Sequence, residues 1–251
     1  ERKQAESEMR SAKDAAEAGS RAKSDFLAMM SHEIRTPMNA IMGMTTMLMN
    51  SDLHPQQKAY ATTAQDSAEG LLVILNDLLD LSKLEAGKLN FEEANFDLPE
   101  LALGVMELLS SHADEKGLSV HGDWHDLTNP RVKGDPTRVR QLLLNLLGNA
   151  RDACDDNGEV HIRATTRGDQ VQIEVEDNGS GIPPALQSQV FEPFFTTKDP
   201  GVGTGLGLAL VFSIIDDMNG RVHLTSTPDV QCGTRVTLYL ASACYGPDVE
   251  M

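Results

Sequence analysis

Aromatic residues are scarce in this sequence: one Trp, three Tyr and seven Phe among 251 residues, or 4%. Against that background, three Phe crowded into the five positions from Phe191 to Phe195 stand out. Cysteine is scarcer still. Cys154, Cys232 and Cys244 are odd in number and none pairs at C-x-x-C spacing, which argues against a disulfide framework or a cysteine zinc site and fits a reducing compartment. Basic residues fall well short of acidic ones, 21 against 38, for a net charge of −17. No basic face exists to neutralise a nucleic acid, so an anionic ligand must be held locally by backbone amides, a metal or a single lysine. Long apolar runs are missing too. The most apolar stretch, LLVILNDLLDL at 71–81, is broken by Asn76, Asp77 and Asp80, so no membrane contact is expected of this fragment, and no signal peptide is visible. The sequence opens on Glu1 inside a helical pattern, so a piece of a longer protein is expected, whose anchoring to a membrane stays open.

What is present is helical at first. Residues 1–20 are Ala-rich with alternating charge, and Met9, Ala12, Ala16 and Gly19 suggest a coiled-coil lead-in. A long helix then runs to about Met49. Its apolar positions, Leu27, Met30, Ile34, Met38, Ile41, Met44 and Leu48, alternate by threes and fours and predict one buried seam. The methionines of this helix, Met29, Met30, Met38, Met42, Met44, Met47 and Met49, read as adaptable core filler. Pro55 opens a second helix with Ala64, Ser67, Leu71, Ile74, Leu78 and Leu81 on one face, ending near Gly87. Two helices with one stripe each cannot close a core. A second copy would complete a four-helix bundle, so residues 21–90 are expected to form a homodimer.

The periodicity breaks at FEEANFDLP, and 91–98 reads as a linker. Residues 99–240 then mix helices with alternating strands. Asp135-Pro136 opens an apolar helix, EVHIRATT and QVQIEVED form a hairpin turning at Arg167-Gly168-Asp169, and RVHLTST and TRVTLYL make a final pair. The expected fold is multidomain, α then α+β: a helical hairpin followed by an α/β sandwich whose sheet is covered by helices on one face. A tail at 241–251 is expected to be disordered.

The chemistry is spread over both halves. In SHEIRTPMN, 31–39, His32 falls opposite the apolar seam, Glu33 beside it can take a proton from an imidazole, and Pro37 predicts a kink. Asn145 and Asn149, one helical turn apart, are either hydrogen-bonded core amides or ligands for something bound over the helix. EVEDNGSGI, 174–182, ends a strand in Asp177, and Gly179 and Gly181 allow close approach to the backbone. Those glycines stand where a calcium loop needs Asp or Asn, which rules that loop out. GVGTGLGL, 201–208, places glycines before a helix N-terminus, an anion site by its free amides, but matches neither a dinucleotide-binding fingerprint nor a P-loop. FEPFFTTK, 191–198, offers either a contact surface or a small satellite core. His121 and His125, in a strand and a turn, share no face and make no metal site.

Taken in order, SHEIRTPMN, NLLGNA, DNGSGI, FEPFF and GTGLGL resemble the motifs of a sensor histidine kinase catalytic core, over about residues 20–240. The family pairs a dimerisation and histidine-phosphotransfer domain with a Bergerat-fold ATP-binding domain. The helical half is most similar to hybrid kinases, whereas GNARDA and FFTTK resemble another branch. The resemblance implies ATP and Mg²⁺, with His32 as phosphoacceptor, Glu33 as its base and Thr36 orienting water for receiver dephosphorylation. Asn149 would hold Mg²⁺, with Asn145 in the same pocket. Asp177 would accept from the adenine amino group, and Gly179 and Gly181 would admit the base. Gly203, Thr204, Gly205, Leu206 and Gly207 would wrap the phosphates, and Lys198 would reach the γ-phosphate from the lid. The implied partners are a second copy and a response-regulator receiver domain, in cis or in trans, and the implied location is cytoplasmic. Asp152 departs from the family, which often has Lys or Arg there. Two other readings remain: a catalytically silent dimeric scaffold, and a hydrolytic ATPase, which would need a glutamate at Asn145.

Overall fold

The computed structural model describes residues 2–87, 89, 91–113, 117–199, 203–227 and 233–241. The chain divides into two units, Glu1–Leu89 and Asn90–Met251.

The first unit is a hairpin of α1 (Arg2–Met49) and α2 (Pro55–Glu85). The expected lead-in is therefore not a separate element: α1 runs through it, and through Pro37, as one helix. The side chains of Met9, Ala12 and Ala16 lie outside the described residues. At the turn, Gln57 Oε1 accepts the His54 amide at 3.0 Å, and Pro55, with no amide to leave unpaired, takes the first helical position. Gly87, at φ +61°, follows the end of α2.

The seam between the two helices differs from the one that the large apolar residues predict. Among the described side chains of α1, the buried ones are Ser24, Ser31 and Thr45, on a seven-residue row that also contains half-buried Met38. Those of α2 include Ala61, Ala68, Leu75 and Ser82, again seven apart. Small side chains let the two backbones approach, and Thr45 turns its hydroxyl back onto the carbonyls of Ile41 and Met42. Arg35 Nη2 donates to Asn76 Oδ1 across the pair at 3.0 Å. The bulky stripe remains uncovered: Ile41, Met44 and Leu48 on α1, and Leu71, Val73 and Ile74 on α2, are all exposed. Met29 and Met47, expected as core filler, are exposed as well.

The second unit comprises β1 (Ala94–Asp97), α3 (Leu98–Ala113), β2 (Ser119–Asp123), β3 (Arg131–Gly134), α4 (Pro136–Ala153), β4 (Glu159–Arg167), β5 (Gln170–Asp177), α5 (Gly207–Asp217), β6 (Arg221–Thr227) and β7 (Gly233–Ala241). A five-stranded sheet has the order β2-β4-β5-β7-β6, and β1 pairs with β3 in a separate ribbon. Part of the expected linker is thus structured: Ala94–Asp97 pairs antiparallel with Arg131–Gly134, because the short run RVKG offers it a free edge. The main sheet is not wholly antiparallel either. β2 runs parallel to β4, since α4 lies between them in the chain and carries it back across the sheet.

Alternation decides which face is dry. Val160, Ile162 and Ala164 of β4 and Val171, Ile173 and Val175 of β5 are buried, as are Leu142, Leu143, Leu146 and Leu147 of α4 and Leu210, Ile214 and Ile215 of α5. The opposite face carries a charge lattice in which Arg163 binds Glu174 and Glu176, and Arg235 binds Glu176 at 2.6 Å. Cys154 is a buried free thiol, whereas Cys232 and Cys244 lie outside the described residues. Of the expected tail, Ala241 ends β7 and the rest lies outside the described residues. No described helix is long and apolar enough to cross a membrane.

Candidate functional site

The site in the second unit begins with a well-anchored helix. Asp135 caps α4, its Oδ1 accepting the amides of Thr137 (2.9 Å) and Arg138 (3.1 Å), and Pro136 supplies the first turn. Ten residues on, the Asn145 amide faces the first turn of α5: a Cβ on Gly207 would lie 3.6 Å from Asn145 Oδ1 and 3.7 Å from Asn149 Nδ2. Asn145 Nδ2 is buried with no hydrogen-bond partner among the described residues. An orphaned amide donor costs about 1–3 kcal/mol, which a ligand accepting from it would recover.

β5 delivers the second element. Continuing the inward register of Val171, Ile173 and Val175, Asp177 is a carboxylate where an aliphatic residue belongs. Its Oδ1 accepts the amides of Gly179 at 2.9 Å and Thr234 at 3.1 Å, and Oδ2 has no hydrogen-bond partner among the described residues. Burial pushes this carboxyl above its usual range, against the pull of the two amides, and Glu176 adds to the rise. The turn that follows packs against the end of α4, where Ser180 N donates to Ala153 O at 3.0 Å. A Cβ on Gly179 would come within 2.4 Å of that carbonyl, so only glycine fits. Gly181 follows at φ +69°.

Between α4 and this turn lies a cavity of about 350 Å³. Its apolar wall includes Leu146, Val175, Ile182, Val190, Leu224 and Val236, and its polar groups include Asp177, Thr234, Asn149, Asp152 and Lys198. Lys198 Nζ stands 2.6 Å from Asp152 Oδ2 and 3.5 Å from Asn149 Oδ1. Arg151 binds the other oxygen of Asp152 through Nε and Nη2, at 2.9 and 2.8 Å. Burial raises the Asp152 carboxyl, but Lys198 and Arg151 outweigh it and hold the group below the ordinary carboxylate range. The shape suits a flat apolar ring with a donor at one end and an anionic tail at the other.

Of the expected ligand residues, the cavity wall brings together Asn149, Asp177, Gly181 and Lys198. Asn145, Gly179, Gly203, Thr204, Gly205, Leu206 and Gly207 stand outside that wall. Leu206 is 1% exposed, a core side chain whose backbone amide donates to Thr204 Oγ1. Gly205, at φ +66°, accepts the amide of Phe194 at 2.9 Å, and a Cβ there would run into the Phe194 backbone. The three clustered rings have separate fates. Phe191 packs on Phe212, Phe195 lines the cavity, and Phe194, itself at φ +68°, is 65% exposed. Sequence reasoning missed Thr234, which reaches Asp177 only because β7 pairs with β5. It noted Asp152 only as a departure, without its bond to Lys198.

In the first unit, His32 and Glu33 are exposed on α1, and no hydrogen bond joins them. Thr36 Oγ1 donates to the carbonyl of His32 at 3.2 Å. His121 stacks on His161 instead of gathering ligands, and no cluster of three metal-ligating side chains occurs among the described residues.

Two family models match the chain. Residues 22–87 match the His Kinase A (phospho-acceptor) domain, and residues 134–243 the histidine kinase-, DNA gyrase B- and HSP90-like ATPase domain. The chain is 37% identical over 228 residues to the signal transduction histidine-protein kinase BarA of Escherichia coli (strain K12), covering 87% of this chain and 25% of that protein. Full-length ShkA in complex with AMPPNP superposes with a TM-score of 0.74 at 32% identity, over 87% of this chain and 46% of that one. The histidine kinase ThkA, solved in complex with the response regulator protein TrrA, gives a TM-score of 0.60 at 27% identity, over 87% and 61%. The chain spans about a quarter of the length of the curated relatives that it matches.

Proposed function

From the premise that this chain belongs to the sensor histidine kinase family, we propose that it transfers the γ-phosphoryl group of ATP to His32 and then to an aspartate of a response-regulator receiver domain. The observation that carries this is the pairing of Asp177 with Asn149 and Lys198 around one apolar cavity: an acceptor for an adenine amino group, and polar groups for a phosphate tail. The division of labour follows the two domains, with the acceptor in the hairpin (21–90) and the donor site in 99–240. ATP as donor implies the cytoplasmic side of a membrane.

The residues present fit both nucleotide and Mg²⁺. Asp177 Oδ2 is the open acceptor and Asn145 Nδ2 the open donor. Asn149 Oδ1 already has an ammonium 3.5 Å away, so its surroundings accept a cation. Bound through Asn149, Mg²⁺ would neutralise phosphate charge as the transferred group loosens. Gly181 would keep the rim low enough for a base to enter, Gly179 would let the turn that carries it pack against the end of α4, and the glycines from Gly203 to Gly207 would offer amides to phosphates. Asn145 is an amide and cannot act as a general base toward water, so hydrolysis in the pocket should be slow.

The nucleophile comes from α1. Nε2 of neutral His32 forms the bond to the γ-phosphorus, the bond to the β–γ bridging oxygen breaks, and ADP leaves with that electron pair. Glu33 takes the Nδ1 proton. The uncovered stripe of the hairpin supports a homodimer closed as a four-helix bundle. Thr36, one turn after His32, would orient water for receiver dephosphorylation, and Thr36→Ala should abolish that activity while His32 still labels.

The test is incubation with γ-labelled ATP and Mg²⁺, comparing the chain with His32→Gln. Label that is acid-labile, alkali-stable and lost in the variant is the expected result. Equal label in both, or sustained phosphate release without a phosphoprotein, would refute it.

A further inference from the structure

An acidic residue is a poor lining for a cavity that receives phosphates, yet Asp152 is in the wall. Its position is held from two sides: Arg151 fixes Oδ1, and Oδ2 is left toward Lys198 at 2.6 Å. Asp152 lies three residues after Asn149, on the same face of α4. The Lys198 ammonium stands between Asn149 Oδ1 and Asp152 Oδ2, bound by two oxygens of the kind that a hard cation takes. A divalent cation seated on Asn149 would compete with the ammonium for both.

We propose that Asp152 is a positioning residue that keeps Lys198 in the cation's place, so that nucleotide entry exchanges one cation for another and frees Lys198 to meet phosphate. This rests on the reading of Asn149 as the Mg²⁺ holder. The exchange has a direction. Without a divalent cation, Asp152 neutralises Lys198, the lysine of the cavity wall among the described residues. With one present, the carboxylate becomes an additional negative charge beside the ion.

The experiment measures the Kd of ATP for the full chain in EDTA and in Mg²⁺, and reads the ratio of the two. Asp152→Asn releases Lys198 and takes a charge from the cation, so the ratio should fall about fivefold, as for loss of a partly buried ion pair. Lys198→Met removes the ammonium that competes with the cation for Asp152 Oδ2, so the ratio should rise by about as much. A merely structural lesion moves both affinities together and leaves the ratio alone. Ratios unchanged in both variants, or shifted in the same direction, would overturn the exchange while leaving Asn149 as the holder. A wild-type ratio of one would overturn the Asn149 reading, and the exchange with it. In the nucleotide-free chain, hydrogen exchange of amides 196–199 should quicken in both variants, and wild-type protection in either would also overturn the proposal.

Discussion

Asp135 Oδ2 accepts the backbone amide of Glu92 at 3.0 Å, while Oδ1 of the same carboxylate caps α4. One buried side chain therefore joins the segment entering the second unit to the helix that carries Asn145 and Asn149. Asp135→Ala removes both functions and should cost about 2–3 kcal/mol in urea denaturation. Asp135→Asn keeps an oxygen for the cap but offers Glu92 a donor in place of an acceptor, and should lose about half as much. Equal losses would mean that the cap contributes nothing, and no loss in Asp135→Asn that the Glu92 contact contributes nothing.

Asp177→Asn retains an oxygen for Gly179 and Thr234 but places an amide where Oδ2 stood. The fold should persist, and ATP affinity by calorimetry should fall by about tenfold or more, as for a lost charge-assisted hydrogen bond. An unchanged Kd would take Asp177 out of the ligand set.

The seam inside the hairpin and the exposed stripe can be separated by mutation. Ile74→Glu lies on the stripe and should give a monomer in sedimentation, with the hairpin's helicity falling as the dimer is lost. Ala68, 3% exposed in the seam, has no room for a larger residue, so Ala68→Leu should lower stability by about 1–3 kcal/mol. A dimer surviving Ile74→Glu would place the interface elsewhere.

Burial, and then the nearby charge of Asp80, pushes the Asp77 carboxyl up to about 6. A raised folded-state value favours the protonated form, so this group's contribution is complete below the ordinary carboxylate pKa and is lost as pH rises through 6. Asp77→Asn mimics the neutral form. Its stability advantage over wild type should be larger at pH 8 than at pH 5, measured by denaturant titration. A gap independent of pH would show that Asp77 does not titrate differently on folding.

Much of this was readable along the chain because local physics dominates locally. Asp135-Pro136 announced α4, and β4 and β5 alternate as written, with the turn at Gly168-Asp169. Motif order marked Asp177 and Asn149 before any geometry did. Pairings at a distance were not legible. β1 emerged from an apparent linker only because β3 presents an edge, and Thr234 enters the site through a strand 57 residues from Asp177. The hairpin's own internal seam was not legible for a related reason. Bulk draws attention to Leu27, Ile34, Ile41 and Leu48, but close-packed helices chose Ser24, Ser31, Ala61 and Ala68. Leu206 shows the converse: a residue inside a glycine motif can serve the core alone.

The uncovered stripe of α1 and α2 has a consequence for the abundance of this protein. If half of the core around the phosphoacceptor helix comes from another molecule, folding of that unit obeys mass action. Dilution alone would then unfold that unit, and the melting temperature should climb with protein concentration. A cell making few copies would hold them near the threshold at which the acceptor is built at all.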